Sequence, residues 1–253
     1  MPHQLLTSSY IIMLENYKTH VKERLKQGIP PLPLNAEQVT ELVELLKSPP
    51  SGDEEYILDL ITNRTPAGVD PAAYVKAAFL TAVAKGETTS PLIDKKHATK
   101  LLGTMLGGYN VESLIGLLED PEVGSLAADG LSHTLLMFNA KHDVIELAET
   151  NENAKRVVDS WSNGEWFTTK PELPEVIKAI VFRVEGEINT DDLSPAPDAP
   201  SRPDIPLHAL AMLKKTMDDP IGTIEKLKES GLPVVFVGDV VGTGSSRKSA
   251  TNS

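Results

Sequence analysis

Apolar residues recur every three or four positions through the first two thirds of the chain. This spacing places apolar side chains on one face of a helix, so it predicts a series of short amphipathic α-helices. In the fourth of them, the predicted buried face consists of Tyr74, Val75, Ala78, Phe79 and Ala82. The predicted helices cover residues 14–27, 36–47, 52–61, 71–85, 95–105, 111–118, 123–128, 131–138, 144–149 and 154–161.

Residues that favour helix ends lie at the boundaries of these segments. Asn35 with Gln38, and Ser51 with Glu54, have the spacing of a capping box. Pro71 suits the first position of a helix, where no hydrogen bond from its nitrogen is needed. The predicted N-cap residues are Asn35, Ser51, Asp70, Asp94 and Asn110, and the predicted C-terminal glycines are Gly28 and Gly86.

The predicted caps at Asn35, Asp70 and Asn110 are about one helix pair apart. This spacing approximates the roughly 40-residue period of HEAT-like solenoids. Such stacks usually serve as interaction surfaces. The sequence therefore predicts a HEAT-like α-solenoid, and a plain helical bundle remains the alternative.

No catalytic constellation is visible in this helical region. His133 lies among leucines and is interpreted as a core histidine, whereas His97 and His142 lie among polar residues and are interpreted as solvated. Lysines at positions 95, 96 and 100 suit phosphate, but a solvated helix face is the simpler interpretation in an acidic chain.

From about Pro171 the pattern changes to strands and loops. Residues 176–184 are rich in valine and isoleucine, which predicts a strand that ends at a turn at Gly186. Five prolines between Pro195 and Pro206 exclude a regular helix or central strand there, so residues 186–204 are predicted to form a long functional loop. Helices are predicted at 207–215 and 221–229, followed by a strand at 234–237. This order predicts an α/β domain with its site at the strand ends.

A glycine-rich turn follows the last predicted strand, at Gly238, Gly242 and Gly244. Ser245 or Ser246 suits the N-cap of a following helix, whose free N–H groups can hold an anion. Four interpretations of residues 238–249 stay open: a dinucleotide-binding loop, a phosphate-binding P-loop, a turn without a ligand, and a carboxylate site. Arg247 occupies the position where either nucleotide motif requires glycine, so those two fit poorly.

Composition narrows the function classes. The chain has 253 residues and a net charge of -12, which argues against broad electrostatic binding to nucleic acid or anionic membranes. It contains no cysteine, so it holds no thiolate ligands for a metal or an iron–sulfur cluster. No apolar run approaches the length of a membrane span. We therefore expect a soluble cytoplasmic protein in which residues 1–12 are a tag or an extension.

Two motifs of the last third resemble the substrate motifs of the aconitase swivel domain. They are residues 190–196 (TDDLSPA) with 201–203 (SRP), and residues 242–247 (GTGSSR). The helical region is similar to the N-terminal HEAT-like domain of the bacterial aconitase B type. The resemblance implies a HEAT-like domain at 13–165 and a partial swivel domain at 166–253, an α region followed by an α/β region.

The resemblance also implies a chemistry. Aconitases interconvert citrate and isocitrate through cis-aconitate, and the aconitase B type also acts as a 2-methylisocitrate dehydratase. A [4Fe–4S] cluster acts as the Lewis acid. By this resemblance Ser245 matches the serine base, Ser246 a substrate hydrogen-bonding residue, and Arg247 and Arg202 the arginines that clamp substrate carboxylates. The cluster ligands are absent from this chain, so we expect the chain alone to be inactive and to need the remaining aconitase domains.

A non-enzymatic hypothesis stands beside this one. In it the chain acts alone, and its helical domain binds a partner. In the aconitase B type that domain is associated with dimerisation and with messenger-RNA binding, so a homodimer or an RNA complex is the expected assembly. The net charge of -12 argues against tight RNA binding.

Overall fold

A computed structural model describes residues 2–27, 31–135, 140–169, 172, 174–201 and 208–244. The side chains of residues 2–9 and 199–201 are not part of this description. The chain divides into two compact units. The first comprises Met1–Leu14 and Leu34–Pro171, and the second Glu15–Pro33 and Glu172–Ser253.

The first unit is helical. Its helices are α2 (Ala36–Lys47), α3 (Glu54–Asn63), α4 (Pro71–Lys85), α5 (Lys95–Gly103), α6 (Val111–Leu117), α7 (Gly124–Ser132), α8 (Ala140–Leu147), α9 (Glu152–Asn163) and α10 (Glu165–Thr168). α2 packs on α3 and α4, α4 on α5, α5 on α7, and α7 on α9. The core is aliphatic, and its fully buried residues include Leu42, Leu46, Ile57, Leu60, Ile61, Leu80, Ile93, Leu102 and Leu114.

Helix α1 (Pro2–Lys26) divides between the units after Leu14. The sequence pattern predicted that this helix begins at Leu14, and the structure corrects that start to Pro2. The segment that was interpreted as a tag or extension is therefore helical from Pro2 onward. Gly28, the predicted stop, lies outside the described residues.

Most of the predicted caps are confirmed. Asn35 forms the complete capping box with Gln38, and Asp70 and Asp94 accept N–H groups at the starts of α4 and α5. The box predicted for Ser51 and Glu54 is wrong. Glu54 instead accepts the Gly52 N–H at 2.7 Å, and the helix begins at Glu54 itself.

The predicted buried face of α4 is only partly correct, because Phe79 is buried as predicted but other members of the face are not. Tyr74 is 60% exposed and Ala78 is exposed, whereas Lys76 is buried and donates its ammonium group to the Thr62 carbonyl oxygen at 3.1 Å. The physical reason is that α4 is apolar around most of its circumference. Helical spacing alone therefore does not select a face, and contacts with α2 and α5 decide it.

His133 is not a core residue, contrary to its interpretation from the sequence. It follows α7 as the C-cap residue and is exposed, and its Nδ1 bonds the Asp129 carbonyl oxygen at 2.9 Å. The neighbouring leucines suggested that His133 lies on a buried helix face, but α7 ends one residue earlier, at Ser132. The side chain of His133 therefore leaves the apolar face of the helix.

The second unit contains a two-stranded parallel sheet. β1 (Ile180–Asn189) pairs with β2 (Val234–Thr243) from Ile180 opposite Val234 to Asn189 opposite Thr243. Between the strands lie α11 (Thr190–Leu193), a 3-10 helix (Ala196–Ser201) and α12 (Pro220–Lys228). The described chain is thus mostly helical with a small parallel sheet, and the predicted order of a helical region followed by an α/β region is confirmed at this level.

The limits of both strands differ from the prediction. Val176 is 74% exposed and precedes β1, which begins at Ile180 and continues through Gly186 to Asn189. Gly186 has φ of 86° and lies at a shift in register, so it forms a bulge rather than a turn. β2 likewise continues through Gly238 and Gly242 to Thr243.

The segment that was predicted as a long loop is largely ordered. Thr190–Leu193 is helical, and the proline-rich Ala196–Ser201 is a 3-10 helix in which the Asp198 N–H donates to the Pro195 carbonyl oxygen at 3.0 Å. A short 3-10 helix forms few backbone hydrogen bonds, so Pro197 and Pro200, which lack an N–H group, are compatible with it. Residues 202–207 lie outside the described residues, and the helix predicted at 207–215 is replaced by turns from Leu210.

The core of the second unit forms beside the sheet. Leu213 has φ of 56°, and its N–H donates to the Asp192 carbonyl oxygen at 2.6 Å, which ties this turn to α11. The rings of Phe182 and Phe236, on adjacent strands, meet edge to face at 5.5 Å. The buried members of this core are Phe182, Val184, Ile188, Leu193, Met212 and Leu213.

Candidate functional site

The candidate site lies where the two parallel strands end. Asn189 and Thr243 are the last paired residues, and the two sequence motifs begin or continue directly after them. Parallel strands present their carboxyl ends at the same edge of a sheet, where ligands commonly bind. The sheet therefore brings together two segments that are about 50 residues apart in sequence.

The first motif is held by a complete capping box. The Asn189 side chain accepts the N–H groups of Asp191 and Asp192 at 2.8 and 3.0 Å, and the Asp192 carboxylate accepts the Asn189 N–H at 2.9 Å. Leu193 is buried in the core of this unit. Asp192 and Leu193 therefore position the motif, and Asp191 stays exposed at its surface.

The second motif meets the first at Gly244. A Cβ atom at Gly244 would lie 2.6 Å from the Thr190 hydroxyl oxygen, and Gly244 has φ of +104°. Any larger residue would therefore collide with Thr190 and strain the backbone. This contact places the start of the TDDLSPA motif against the residue that immediately precedes Ser245 in the sequence.

Two further contacts fix the strand ends. The Thr243 hydroxyl donates to the Glu187 carboxylate at 2.7 Å, across the two strands. The Gly186 N–H donates to the Asp239 carboxylate at 2.8 Å, so the bulge of β1 is held by a side chain of β2. Neither contact was predictable from local sequence patterns, because the partners are distant along the chain.

The segment that leads to Arg202 is braced by buried polar groups. Asp198 is only 3% exposed and is paired with the ammonium group of Lys214. His208 is buried as well, and its Nε2 donates to the Pro195 carbonyl oxygen at 2.7 Å. Its Nδ1 is buried and has no hydrogen-bond partner within the described residues.

The four residues predicted from the sequence as the substrate site lie outside the described residues. They are Arg202, Ser245, Ser246 and Arg247. Their roles stay predictions. The structure adds supporting residues that the sequence analysis missed, namely Asn189, Asp198, Lys214 and His208. Of these residues, only Asn189 could have been predicted from local sequence, because it lies three residues before Asp192 and has the spacing of a capping box.

Within the described ranges, no group of three or more histidine, cysteine, aspartate or glutamate side chains is arranged to hold a metal ion. None of the helices in that part of the chain is both long and apolar enough to span a membrane.

Comparison with known protein families gives the class of protein. Residues 16–167 match the family model of the aconitate B N-terminal domain, and residues 179–253 match that of the aconitate hydratase 2 N-terminus. The chain belongs to the aconitase B family and corresponds to its N-terminal part.

Individual relatives agree with this assignment. The chain is 63% identical to aconitate hydratase B of Pseudomonas aeruginosa, 58% identical to that of Escherichia coli and 51% identical to that of Helicobacter pylori. Each comparison covers 95% of this chain. The chain spans only 28–29% of the length of these relatives, whose name is that of an enzyme.

Proposed function

We propose that this chain supplies carboxylate-binding and proton-transfer groups to an aconitate hydratase that interconverts citrate and isocitrate through cis-aconitate. The observation that supports this proposal is the contact between Thr190 and Gly244. It brings the first residue of one substrate motif against the middle of the other, as a shared binding site requires. The relatives' name, aconitate hydratase B, supports the reaction class. A related 2-methylisocitrate dehydration fits the same groups.

In this proposal the two arginines hold the substrate. The forked guanidinium groups of Arg202 and Arg247 bind carboxylates through paired hydrogen bonds, which fix both position and orientation. Ser246 donates a further hydrogen bond to the substrate. Such clamping lowers the barrier because the reacting carbon is held at a fixed distance from the base.

Ser245 is proposed as the base that removes the proton α to a substrate carboxylate. A serine hydroxyl is a weak base at neutral pH, so its alkoxide has to be stabilised by neighbouring positive charge and N–H donors. Arg247 is close in sequence and brings a permanent positive charge. The proton returns from the same oxygen atom when cis-aconitate is hydrated.

The iron–sulfur cluster does not fit the residues of this chain. The chain contains no cysteine, and cysteine thiolates are the usual ligands of such clusters. We therefore assign the [4Fe–4S] cluster to the remaining aconitase domains and assign no step in this chain to it. This chain without those domains is expected to be inactive.

The architecture that accompanies this function is a HEAT-like solenoid at residues 13–165 and the first part of a swivel domain at 166–253. The successive packing of α2, α4, α5, α7 and α9 supports a solenoid. The parallel pair of β1 and β2 supports an α/β swivel domain. Cytoplasmic localisation follows from the metabolic role that is proposed.

The test uses a full-length aconitate hydratase B that carries this segment. Ser245→Ala is expected to lower kcat by about 100-fold to 10,000-fold, because it removes the proton-transfer group. Arg247→Lys is expected to lower kcat/KM by roughly 10-fold to 100-fold, since lysine cannot form the paired hydrogen bonds. Arg183→Lys, at an exposed position of β1, is the matched control. Wild-type kinetics in both site variants would refute the proposal.

A second function, partner binding by the helical unit, is favoured by its exposed apolar residues. Val69, Tyr74 and Leu106 are largely exposed. These residues favour a homodimer. A messenger-RNA complex, against which the net charge of -12 argues, is the alternative assembly. Titration of the purified chain with RNA at two salt concentrations tests the RNA form, because phosphate binding weakens steeply with salt. Absence of binding at low salt would eliminate RNA, and sedimentation across a concentration series tests the dimer.

A further inference from the structure

A groove between α4 and α6 is a preformed feature of the helical unit that the proposed catalysis does not use. Its volume is about 470 Å³. Small residues of α4 line this groove. We call the groove the tyrosine groove, after the two tyrosines that also line it. Its lining includes Tyr74, Ala77, Ala78, Ala82, Glu87, Tyr109 and Glu112.

Three contacts hold the groove open. The Thr81 hydroxyl donates to the Ser113 hydroxyl at 2.7 Å, which joins α4 to α6 along the groove. The Tyr109 hydroxyl donates to the Val69 carbonyl oxygen at 3.1 Å. Gly107 lies against the backbone of Gly68, where an added Cβ would be only 2.3 Å from the Gly68 carbonyl carbon. The walls are therefore fixed before any ligand arrives.

Two tyrosine rings form one wall. The rings of Tyr74 and Tyr109 lie 5.3 Å apart at 77°, so they form a corner of nearly perpendicular aromatic surfaces. Burying large aromatic rings gains free energy, yet Tyr74 stays 60% exposed. The faces of such rings attract cations through their negative quadrupole.

The charge of the groove has one sign. Its ionisable carboxylates, Glu87 and Glu112, are both exposed, and neither forms an ion pair within the described residues. No lysine or arginine lines the groove in that part of the chain. Carboxylates beside aromatic faces are complementary to an organic cation and repel an anion.

The surface continues beyond the groove as an apolar patch. The contact between Gly68 and Gly107 brings together the loops that carry Val69 and Leu106, which are 73% and 68% exposed. A small free cation has no atoms to cover these side chains. The patch therefore favours a protein segment in which a cationic residue is flanked by apolar residues.

We propose that the tyrosine groove binds a lysine or arginine side chain of a partner protein, while neighbouring apolar residues of that partner pack on Val69 and Leu106. The cation lies against Tyr74 and Tyr109 and pairs with Glu87 and Glu112. The interaction is independent of the proposed catalysis, because none of these residues belongs to the substrate motifs.

The experiment uses two matched peptides, acetyl-Leu-Ala-Arg-Ala-Leu-amide and its analogue with neutral citrulline in place of arginine. Binding to the chain is followed by the amide resonances of Ala77, Ala78 and Glu112. The arginine peptide is expected to bind at least tenfold more tightly, since only it carries the charge. Tyr74→Ala and Glu112→Gln are each expected to weaken binding at least fivefold, and Glu122→Gln, at an exposed site outside the groove, to leave it unchanged.

Three results would overturn the proposal. The first is equal affinity for the two peptides, and the second is unchanged affinity in Tyr74→Ala with its helical circular dichroism intact. The third is absence of binding up to about 5 mM peptide, a concentration at which even very weak complexes form.

Self-association that Tyr74→Ala abolishes would identify the occupant as a second copy of the chain instead. Unchanged turnover of the full-length Tyr74→Ala enzyme would separate this surface from the catalytic proposal.

Discussion

Asn110 shows how far a residue's role can depart from its local pattern. It occupies the N-cap position of α6, as predicted, but its side chain forms no capping bond. Its amide group instead donates backward to the carbonyl oxygens of Leu102 and Met105 at 2.7 and 3.3 Å. These carbonyls belong to the end of α5 and the turn after it, so Asn110 closes one helix rather than opening the next.

The substitution Asn110→Asp should therefore be strongly destabilising. It replaces an N–H donor with a carboxylate that faces two carbonyl oxygens at a position that is only 1% exposed. We expect a loss of about 3 kcal/mol or more in the free energy of unfolding, measured by urea denaturation. Asn163→Asp, at an exposed position of α9, is the control and should change stability by less than about 1 kcal/mol. Similar losses in both variants would contradict the assigned role of Asn110.

Asp120 gives the helical unit a pH dependence. Its carboxylate accepts the N–H groups of Glu122 and Val123 at 2.8 and 3.1 Å and lies 3.5 Å from the Lys95 ammonium group. The Glu122 hydrogen bond in particular, with those of Val123 and Lys95, lowers the pKa of this carboxyl below its ordinary value of 3.8. The charged form is therefore the one that the fold stabilises.

The contribution of Asp120 should be complete above pH 3.8 and should be lost as the pH falls through its lowered pKa. The measurement is the free energy of unfolding from pH 2 to pH 7 for the wild type and for Asp120→Asn. We expect the wild type to be more stable by a constant amount at neutral pH and the difference to shrink in acid. A difference that is independent of pH would show that Asp120 does not titrate with folding.

At the scale of elements, alanine substitutions at two glycines separate the effect of close packing from the effect of helix propensity. Gly107→Ala should disrupt the junction with Gly68, because φ is +93° and the added Cβ would be 2.3 Å from a backbone carbon. We expect a loss of about 2 kcal/mol or more in stability. Gly116→Ala, within α6 and with no atom within 4 Å of the added Cβ, should stabilise the chain by up to about 1 kcal/mol. Thermal denaturation of both variants checks the expected opposite signs.

Helix ends were more predictable than strand ends for a physical reason. N-cap residues such as Asn35 and Asp70 bond N–H groups within three residues, so the start of a helix can be predicted from adjacent sequence. The limits of β1 depend on its partner β2. Val176 and Ile177 have the composition of a strand but pair with no strand among the described residues, while Gly186 is kept in the sheet by Asp239 of β2.

The candidate site divides in the same way. The two motifs and the strand ends that carry them were visible in the sequence, because each motif is contiguous. The braces were not visible. Lys214 pairs with Asp198, and His208 bonds Pro195, only because the intervening turns fold back. Such contacts depend on tertiary structure, which local patterns do not encode.

At the scale of the whole molecule, the two compact units provide separate reporters. The chain has two tryptophans, Trp161 and Trp166, and both belong to the helical unit. Tryptophan fluorescence should therefore follow the unfolding of that unit, whereas circular dichroism follows both.

Core truncations in each unit test this separation. Leu102→Ala should lower the midpoint temperature of the unfolding transition that is followed by fluorescence. It removes buried side-chain volume beside α7, which costs about 2–5 kcal/mol of stability. Phe182→Ala, in the core beside the sheet, should cost about 3–5 kcal/mol of stability. It should leave the midpoint of the fluorescence transition unchanged, and it should alter the unfolding curve that is followed by circular dichroism. An equal shift of the fluorescence transition in both variants would show that the units unfold together.

The parallel pairing of β1 with β2 also has a consequence for biosynthesis. β1 cannot pair until Val234–Thr243 has been translated, about 50 residues later, which takes about 3–10 s at ordinary elongation rates. The helices form within microseconds of leaving the ribosome, because their contacts are local. The nascent chain therefore exposes the unpaired edge of β1 for seconds, and this is the interval in which a chaperone would be needed to prevent aggregation.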